Sequence, residues 1–292
     1  MSIPAVSLSA VPELRRILLT TDLSLSAESL AALPYVRGIA DAFGSSVFLW
    51  HSVAGDADEN RTPPLEFPHL QKQAAEKLEA LSHTVQLQNL DVTALVTNGS
   101  VASELPKAIE ANNIDLVVAR TNGRRGLQRI LYGSVVDEIC RVANCPVLTV
   151  GPFLIPRKEV RFKRIILPSD LSLHSQRVLP AVVALAGRYG ASVTILHVLP
   201  DGWEQRPDYA PARDAARRAM GQSFAPPLAG VDSEFICETG ETVEVILRLA
   251  RLKNADLIAM GVHHAFEPGI QMCPSVASRV VSEAHCPVLT SR

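Results

Sequence analysis

The residues best suited to chemistry lie between Val117 and Ser134. Val117-Val118-Ala119-Arg120-Thr121-Asn122-Gly123-Arg124-Arg125-Gly126 runs through Leu127 to Tyr132 into Gly133-Ser134. The apolar run Ile114 to Ala119 predicts a buried parallel strand. A polar, glycine-containing loop leaves its end, and Gly133-Ser134 opens an amphipathic segment, Val135 to Val142. Ser134 followed by Asp137 has the pattern of a capping box. Amides at a helix start point out of the helix and suit an anion such as phosphate. In an open α/β sheet, ligands collect at the carboxyl ends of the strands, which makes this loop the candidate site. Asp22 closes the first apolar strand and admits two readings, a ligand contact or a turn carboxylate ahead of Leu23-Ser24.

The elements that must hold these residues occur twice. Arg16-Ile17-Leu18-Leu19-Thr20-Thr21-Asp22-Leu23-Ser24 returns as Arg164-Ile165-Ile166-Leu167-Pro168-Ser169-Asp170-Leu171-Ser172. Val47-Phe48-Leu49-Trp50-His51 returns as Val193-Thr194-Ile195-Leu196-His197. Asn144-Cys145-Pro146-Val147-Leu148-Thr149 returns as His285-Cys286-Pro287-Val288-Leu289-Thr290. The chain therefore reads as two copies of one domain: 1–151, a linker 152–162, and 163–292. Each copy alternates short apolar strands with amphipathic helices. That pattern predicts an α/β fold, with a parallel sheet covered on both faces and doubly wound by right-handed crossovers. In the first copy Ser24 or Ser26 is expected to cap a helix over Leu30 to Phe43, kinked at Pro34, with Pro180 its counterpart. Leu70 to Leu87 has helical period, and Val92 to Val96 reads as the third strand.

Composition narrows the function classes. The chain has 292 residues, 47% hydrophobic and 20% charged, with a net charge of -2. Two full cores are affordable at this length. The charge gives no reason to expect nucleic acid or an acidic membrane as partner. No apolar run approaches the ~20 residues needed to span a bilayer, and Met1 to Pro12 lacks the pattern of a signal peptide. A cytoplasmic location is expected. Five cysteines, an odd number, fit free thiols in a reducing compartment. No metal-ligand spacing accompanies Cys140 and Cys145, or His263-His264 beside Cys273. His51 and His197, near strand ends, read as hydrogen-bonded core residues. No nucleophile elbow, phosphate-loop lysine or compact carboxylate pair appears, so catalysis is not expected.

These residues together resemble the universal stress protein family in its tandem two-domain form. The resemblance rests on Leu19-Thr20-Thr21-Asp22-Leu23-Ser24 and its repeat, and on His51 and His197. It rests also on Gly123-Arg124-Arg125-Gly126-Leu127 with Leu131-Tyr132-Gly133-Ser134, and on the closing Cys-Pro-Val-Leu-Thr of each copy. It implies two Rossmann-like, five-stranded parallel sheets, forming an internal pseudo-dimer in which the last strands of the two copies pair. The same resemblance makes a homodimer of full chains the expected further assembly. Nucleotide-binding members carry a glycine, two residues, a second glycine, nine residues, then Gly-Ser or Gly-Thr. Here the second glycine is Gly123, followed by Gly133-Ser134, with Arg120 at the first position. The second copy keeps Gly261 but has His264 and Pro274-Ser275 at the other two places. Proline there removes an amide donor from the helix start.

What the resemblance implies is a non-enzymatic stress-response binding module. ATP or another adenine nucleotide would sit in the first domain alone. Thr21 and Asp22 would lie against the nucleoside. Gly123, Gly133 and Ser134 would hold phosphates, and Arg120 would either fill the pocket or bring a guanidinium to the phosphates. The alternative is a nucleotide-free scaffold with both sites closed. A third reading, a small-molecule enzyme on the same fold, is not excluded by fold.

Overall fold

The computed structural model describes residues 13–24, 26, 29–53, 67–121, 135–154, 159–262 and 275–292. The chain divides into two compact units, Glu13–Val160 and one holding Arg161–Arg292. The N-terminal unit contains β1 (Arg16–Thr20), α1 (Leu33–Phe43), β2 (Ser46–Ser52), α2 (Phe67–Ser82), β3 (Val92–Thr97), α3 (Val101–Ala111), β4 (Leu116–Arg120), α4 (Val135–Val142) and β5 (Val147–Val150). The C-terminal unit contains β6 (Arg164–Pro168), α5 (Leu179–Tyr189), β7 (Ser192–Leu199), α6 (Tyr209–Phe224), β8 (Ser233–Thr239), α7 (Thr242–Leu252), β9 (Leu257–Gly261), α8 (Val276–Glu283) and β10 (Val288–Ser291).

Strand order within the N-terminal unit is β3-β2-β1-β4-β5, and within the C-terminal unit β8-β7-β6-β9-β10. Neighbouring strands inside each unit are parallel. The chain moves outward from β1 through α1 and α2, then returns and moves the other way through α3 and α4. Right-handed crossovers therefore place α1 and α2 on one face and α3 and α4 on the other. Side-chain alternation agrees. Leu18, Trp50, Val117 and Ala119 pack with Val101, Leu105 and Ile109 of α3 and Ile139 of α4. The C-terminal unit repeats this with Ile166, Leu196, Ile258 and Met260 against α7 and α8.

Each unit ties the start of its first strand to the strand beside it through one carboxylate. Asp115 Oδ2 accepts from the amides of Arg15 and Arg16, at 2.9 Å each. Asp256 Oδ2 accepts from Lys163 and Arg164 at 3.0 and 3.1 Å. Helices α1 and α5 end on Gly44 and Gly190, at φ 67° and 61°. That left-handed conformation is one that glycine adopts without a Cβ penalty.

The sequence reading needs several corrections. Neither Ser24 nor Ser26 caps α1, whose N-cap Ala32 offers no side-chain bond. Pro34 and Pro180 lie in the first turn of α1 and α5. The missing N–H costs nothing there, because first-turn amides have no intrahelical partner; neither proline can kink the helix. Pro106, by contrast, sits inside α3. The helix expected to reach Leu87 ends at Ser82, and turns run on to Leu90. β4 extends through Arg120 rather than ending at Ala119. Ser100 caps α3 by accepting from Ser103 N at 3.2 Å. Ser100→Ala is expected to lower stability by about 1 kcal/mol, measured as the shift in urea unfolding free energy.

Candidate functional site

The carboxyl ends of β1, β2, β3 and β4 form the edge where the sequence places a ligand. The chain leaves β1 in a tight turn. Thr21 N donates to Trp50 O at 3.1 Å, Thr21 Oγ1 accepts from Leu23 N at 3.1 Å, and Asp22 Oδ1 accepts from Ser24 N at 2.9 Å. His51 Nδ1 lies 2.8 Å from Thr21 O. A carbonyl can only accept, so the ring carries its proton on Nδ1 and acts as a strut for this turn. The C-terminal unit repeats the arrangement. Ser169 Oγ accepts from Leu171 N, Asp170 Oδ1 from Ser172 N, and His197 Nδ1 holds Ser169 O at 2.8 Å. The turn role of Asp22 and Asp170 is thus met without any ligand.

The two edges differ above that turn. Alternation along the strands puts Thr20, Trp50, Ser52, Thr97 and Thr121 on the α3–α4 face, at or just past the strand ends. Thr20 Oγ1 donates to Val118 O and Ser52 Oγ to Gly99 O. Trp50 Nε1, Thr97 Oγ1 and Thr121 Oγ1 are buried and find no hydrogen-bond partner among the described residues. Trp50 as a whole is 2% exposed. Strand register makes Pro168, Leu196, Val198 and Glu238 the equivalents of Thr20, Trp50, Ser52 and Thr97. Val262 stands where Thr121 does: Thr121 N donates to Val150 O, and Val262 N to Ser291 O. Four of the five polar positions are therefore hydrophobic or proline in the C-terminal unit. The fifth, Glu238, pairs with Arg248 at 3.3 Å.

Of the residues named from sequence, Thr21, Asp22 and Arg120 come together at this edge. Thr21 is half-buried and Asp22 exposed. Arg120 is the last residue of β4 and is half-buried, with Nε fully enclosed. Ala119 faces α3 and α4, so Arg120 projects to the opposite, α1 face. Its stem lies within the fold rather than along a rim, and on the other side of the sheet from the polar row. Gly123, Gly133 and Ser134 lie outside the described residues, as do His263, His264, Cys273 and Pro274. Ser275 caps α8, accepting from Ser278 N at 3.1 Å. Sequence reasoning missed Thr20, Trp50, Ser52, Thr97 and Thr121 as a row. The signal was available as a comparison of the two copies at the strand ends, Trp50 against Leu196 and Thr121 against Val262.

Other chemistries find little footing. Among the described residues no three His, Cys, Asp or Glu side chains converge as a metal site. Cys140, Cys145, Cys237 and Cys286 are free thiols. Burial pushes the Cys145 thiol up to about 12, which leaves almost none of the thiolate needed for reactivity. At Asp170 burial raises the carboxyl, but hydrogen bonds from Ser172 and Ser175 outweigh it and hold the group below the ordinary carboxylate value. A depressed folded-state pKa gives stability that is present above the unfolded value, about 3.9, and lost as pH falls through the folded value. Asp170→Asn is accordingly expected to unfold at lower urea than the parent at about pH 7. The gap should shrink as pH falls below the unfolded carboxylate value and through the lower folded one; a gap that does not change with pH would contradict the assignment.

The sequence profile described as the universal stress protein family matches residues 13–151 and again 161–292. A universal stress protein of Thermus aquaticus is 34% identical over 140 residues, covering 45% of this chain and 99% of that protein. One from Methanocaldococcus jannaschii is 32% identical over 90 residues, 31% of this chain; the match spans only 51% of that protein. The crystal structure of a universal stress protein from Archaeoglobus fulgidus superposes with a TM-score of 0.74 at 21% identity, covering 96% of this chain and 97% of that one. No helix among the described residues is long and apolar enough to cross a membrane.

Proposed function

The chain belongs to the universal stress protein family, carrying its domain twice, and from that premise we propose that it is a non-catalytic binding module whose N-terminal unit takes an adenine nucleotide such as ATP. The observation that carries this reading is the polar row at the strand ends of that unit. A buried donor or acceptor left without a partner costs about 1–3 kcal/mol. Three of them, Trp50 Nε1, Thr97 Oγ1 and Thr121 Oγ1, border one sheet edge. A fold tolerates such a cost where a ligand or ordered water completes the bonds. An adenine nucleotide offers ring nitrogens and ribose hydroxyls to such groups. Thr21 and Asp22 would meet the nucleoside from the β1 turn. Gly123, Gly133 and Ser134 would receive the phosphates, with Arg120 approaching from the α1 face.

The C-terminal unit supports a structural role. Its equivalent row is Pro168, Leu196, Val198, Glu238 and Val262, which offers a nucleotide little to bond. A role without turnover is part of this reading; His51 Nδ1 and Asp22 Oδ1 serve the β1 turn through Thr21 O and Ser24 N. A cytoplasmic location and a binding or signalling role in stress follow from the same reading.

Titration calorimetry of the full chain with ATP is expected to give one site per chain, with no phosphate release over hours. Absence of heat at millimolar ATP would instead favour the nucleotide-free scaffold. Thr121→Val separates the two outcomes further. It deletes an unpartnered hydroxyl while keeping side-chain shape, so the ligand-free protein should gain about 1 kcal/mol of stability. ATP affinity should fall about tenfold. A variant that is less stable and binds ATP unchanged would count against the polar row as the binding surface.

A further inference from the structure

The two copies of the strand-end glycine position are occupied differently, and the chain beside them differs in length. In the C-terminal unit Gly261 ends β9. An ideal Cβ built on it would lie 1.9 Å from His174 O, 2.6 Å from Ser175 Cα and 2.7 Å from the His174 carbonyl carbon. All three are backbone atoms, so no rotamer change relieves the contact. The backbone at His174 and Ser175 is itself fixed. Ser175 Oγ donates to Ser172 O at 2.8 Å and lies 2.7 Å from Ser169 Oγ, while Ser175 N donates to Ser172 Oγ. Ser169, Ser175 and Gln176 are all buried. The segment between β6 and α5 is thus seated directly on a glycine, and any other residue there would displace it.

The N-terminal unit has Arg120 at that place. The connections that follow the first strand also differ between the units in length. Up to Ser24 and Ser172 the two units match bond for bond. Each first helix then begins on Leu-Pro, at Leu33 and Leu179. Nine steps separate Ser24 from Leu33, but seven separate Ser172 from Leu179. The connection beside the arginine is two residues longer. After the shared turn the bonding also diverges: Ser26 N donates to Ser24 Oγ, and Ser26 is exposed where His174 is half-buried.

We infer that Arg120 and the longer β1–α1 connection are a matched pair, in which the arginine stem fills the volume that the His174–Ser175 backbone fills in the other unit. Arg120 is then a positioning residue. Its stem holds, beside the Thr21-Asp22 turn, the place that backbone holds in the other unit. The glycine at position 261 is required in turn by packing of the chain on the α5 face, independently of any phosphate. Neither statement needs a bound nucleotide, so this inference and the ATP reading can fail separately.

Hydrogen exchange by mass spectrometry on the full chain tests the N-terminal half of the pair. Arg120→Gly is expected to raise exchange in peptides covering Thr20 to Leu33 by tenfold or more. Arg120→Met, which keeps bulk without charge, should stay close to the parent. Unchanged exchange in Arg120→Gly, or equal loss in both variants, overturns the inference. The C-terminal half is tested by a coupling measurement. Gly261→Ala is made in the parent and in a chain whose residues 173–178 are replaced by the sequence of residues 25–32. The alanine should shift the urea midpoint strongly downward in the parent and much less in the lengthened chain. The same shift in both backgrounds overturns the pairing.

Discussion

A strand that ends at the carboxyl edge of a parallel sheet must turn back into a helix while its last backbone groups stay bonded. Both units meet this constraint with one device. The residue after the strand accepts an amide through its hydroxyl, the aspartate accepts the amide two residues on, and a histidine from the neighbouring strand holds the carbonyl. The intervening leucine is forced to positive φ, 61° at Leu23 and 66° at Leu171. That conformation costs a side-chain-bearing residue roughly 1–3 kcal/mol and survives only where the surroundings over-determine it. Everything at the edge is placed relative to this turn.

Because the turn is common to both halves, it cannot be what distinguishes them. Asp22 and His51 have counterparts in Asp170 and His197 with the same bonds, so their presence says more about architecture than about ligand. The distinction lies one layer out. The N-terminal unit lines its strand ends with Thr20, Trp50, Ser52, Thr97 and Thr121. The C-terminal unit lines its own with proline, leucine, valine and an ion-paired glutamate. The same apolar strand cores support both, as the matching clusters around Leu18 and Ile166 make plain. A strand-end row rich in hydroxyls and a largely apolar one therefore differ by a few side chains on the same strand framework.

The repeat made most of the frame legible in the sequence. Short apolar runs recurring in order give strands and parallel topology, since a buried parallel strand needs little beyond apolar residues and a stop. Helix starts were harder. Pro34 and Pro180 look like breakers inside a helix when the preceding residues also have helical period; the turns before Leu33 and Leu179 are what move them to the first turn. The site was legible only in part. Asp22 and Arg120 stand out by type and place. Trp50 and Thr97 do not, because burial without a partner depends on what surrounds an atom in space. The fit of Gly261 against His174 likewise joins residues far apart in the chain, and no local pattern announces it.

The unequal lengths of the two connections also bear on what each half can accept. Lengthening a surface connection by two residues costs little, since closure entropy grows only with the logarithm of length. Placing a side chain on the seated glycine drives it into backbone. In the C-terminal unit, whose connection is the shorter one, Gly261 therefore cannot take on a side chain unless that connection first changes course.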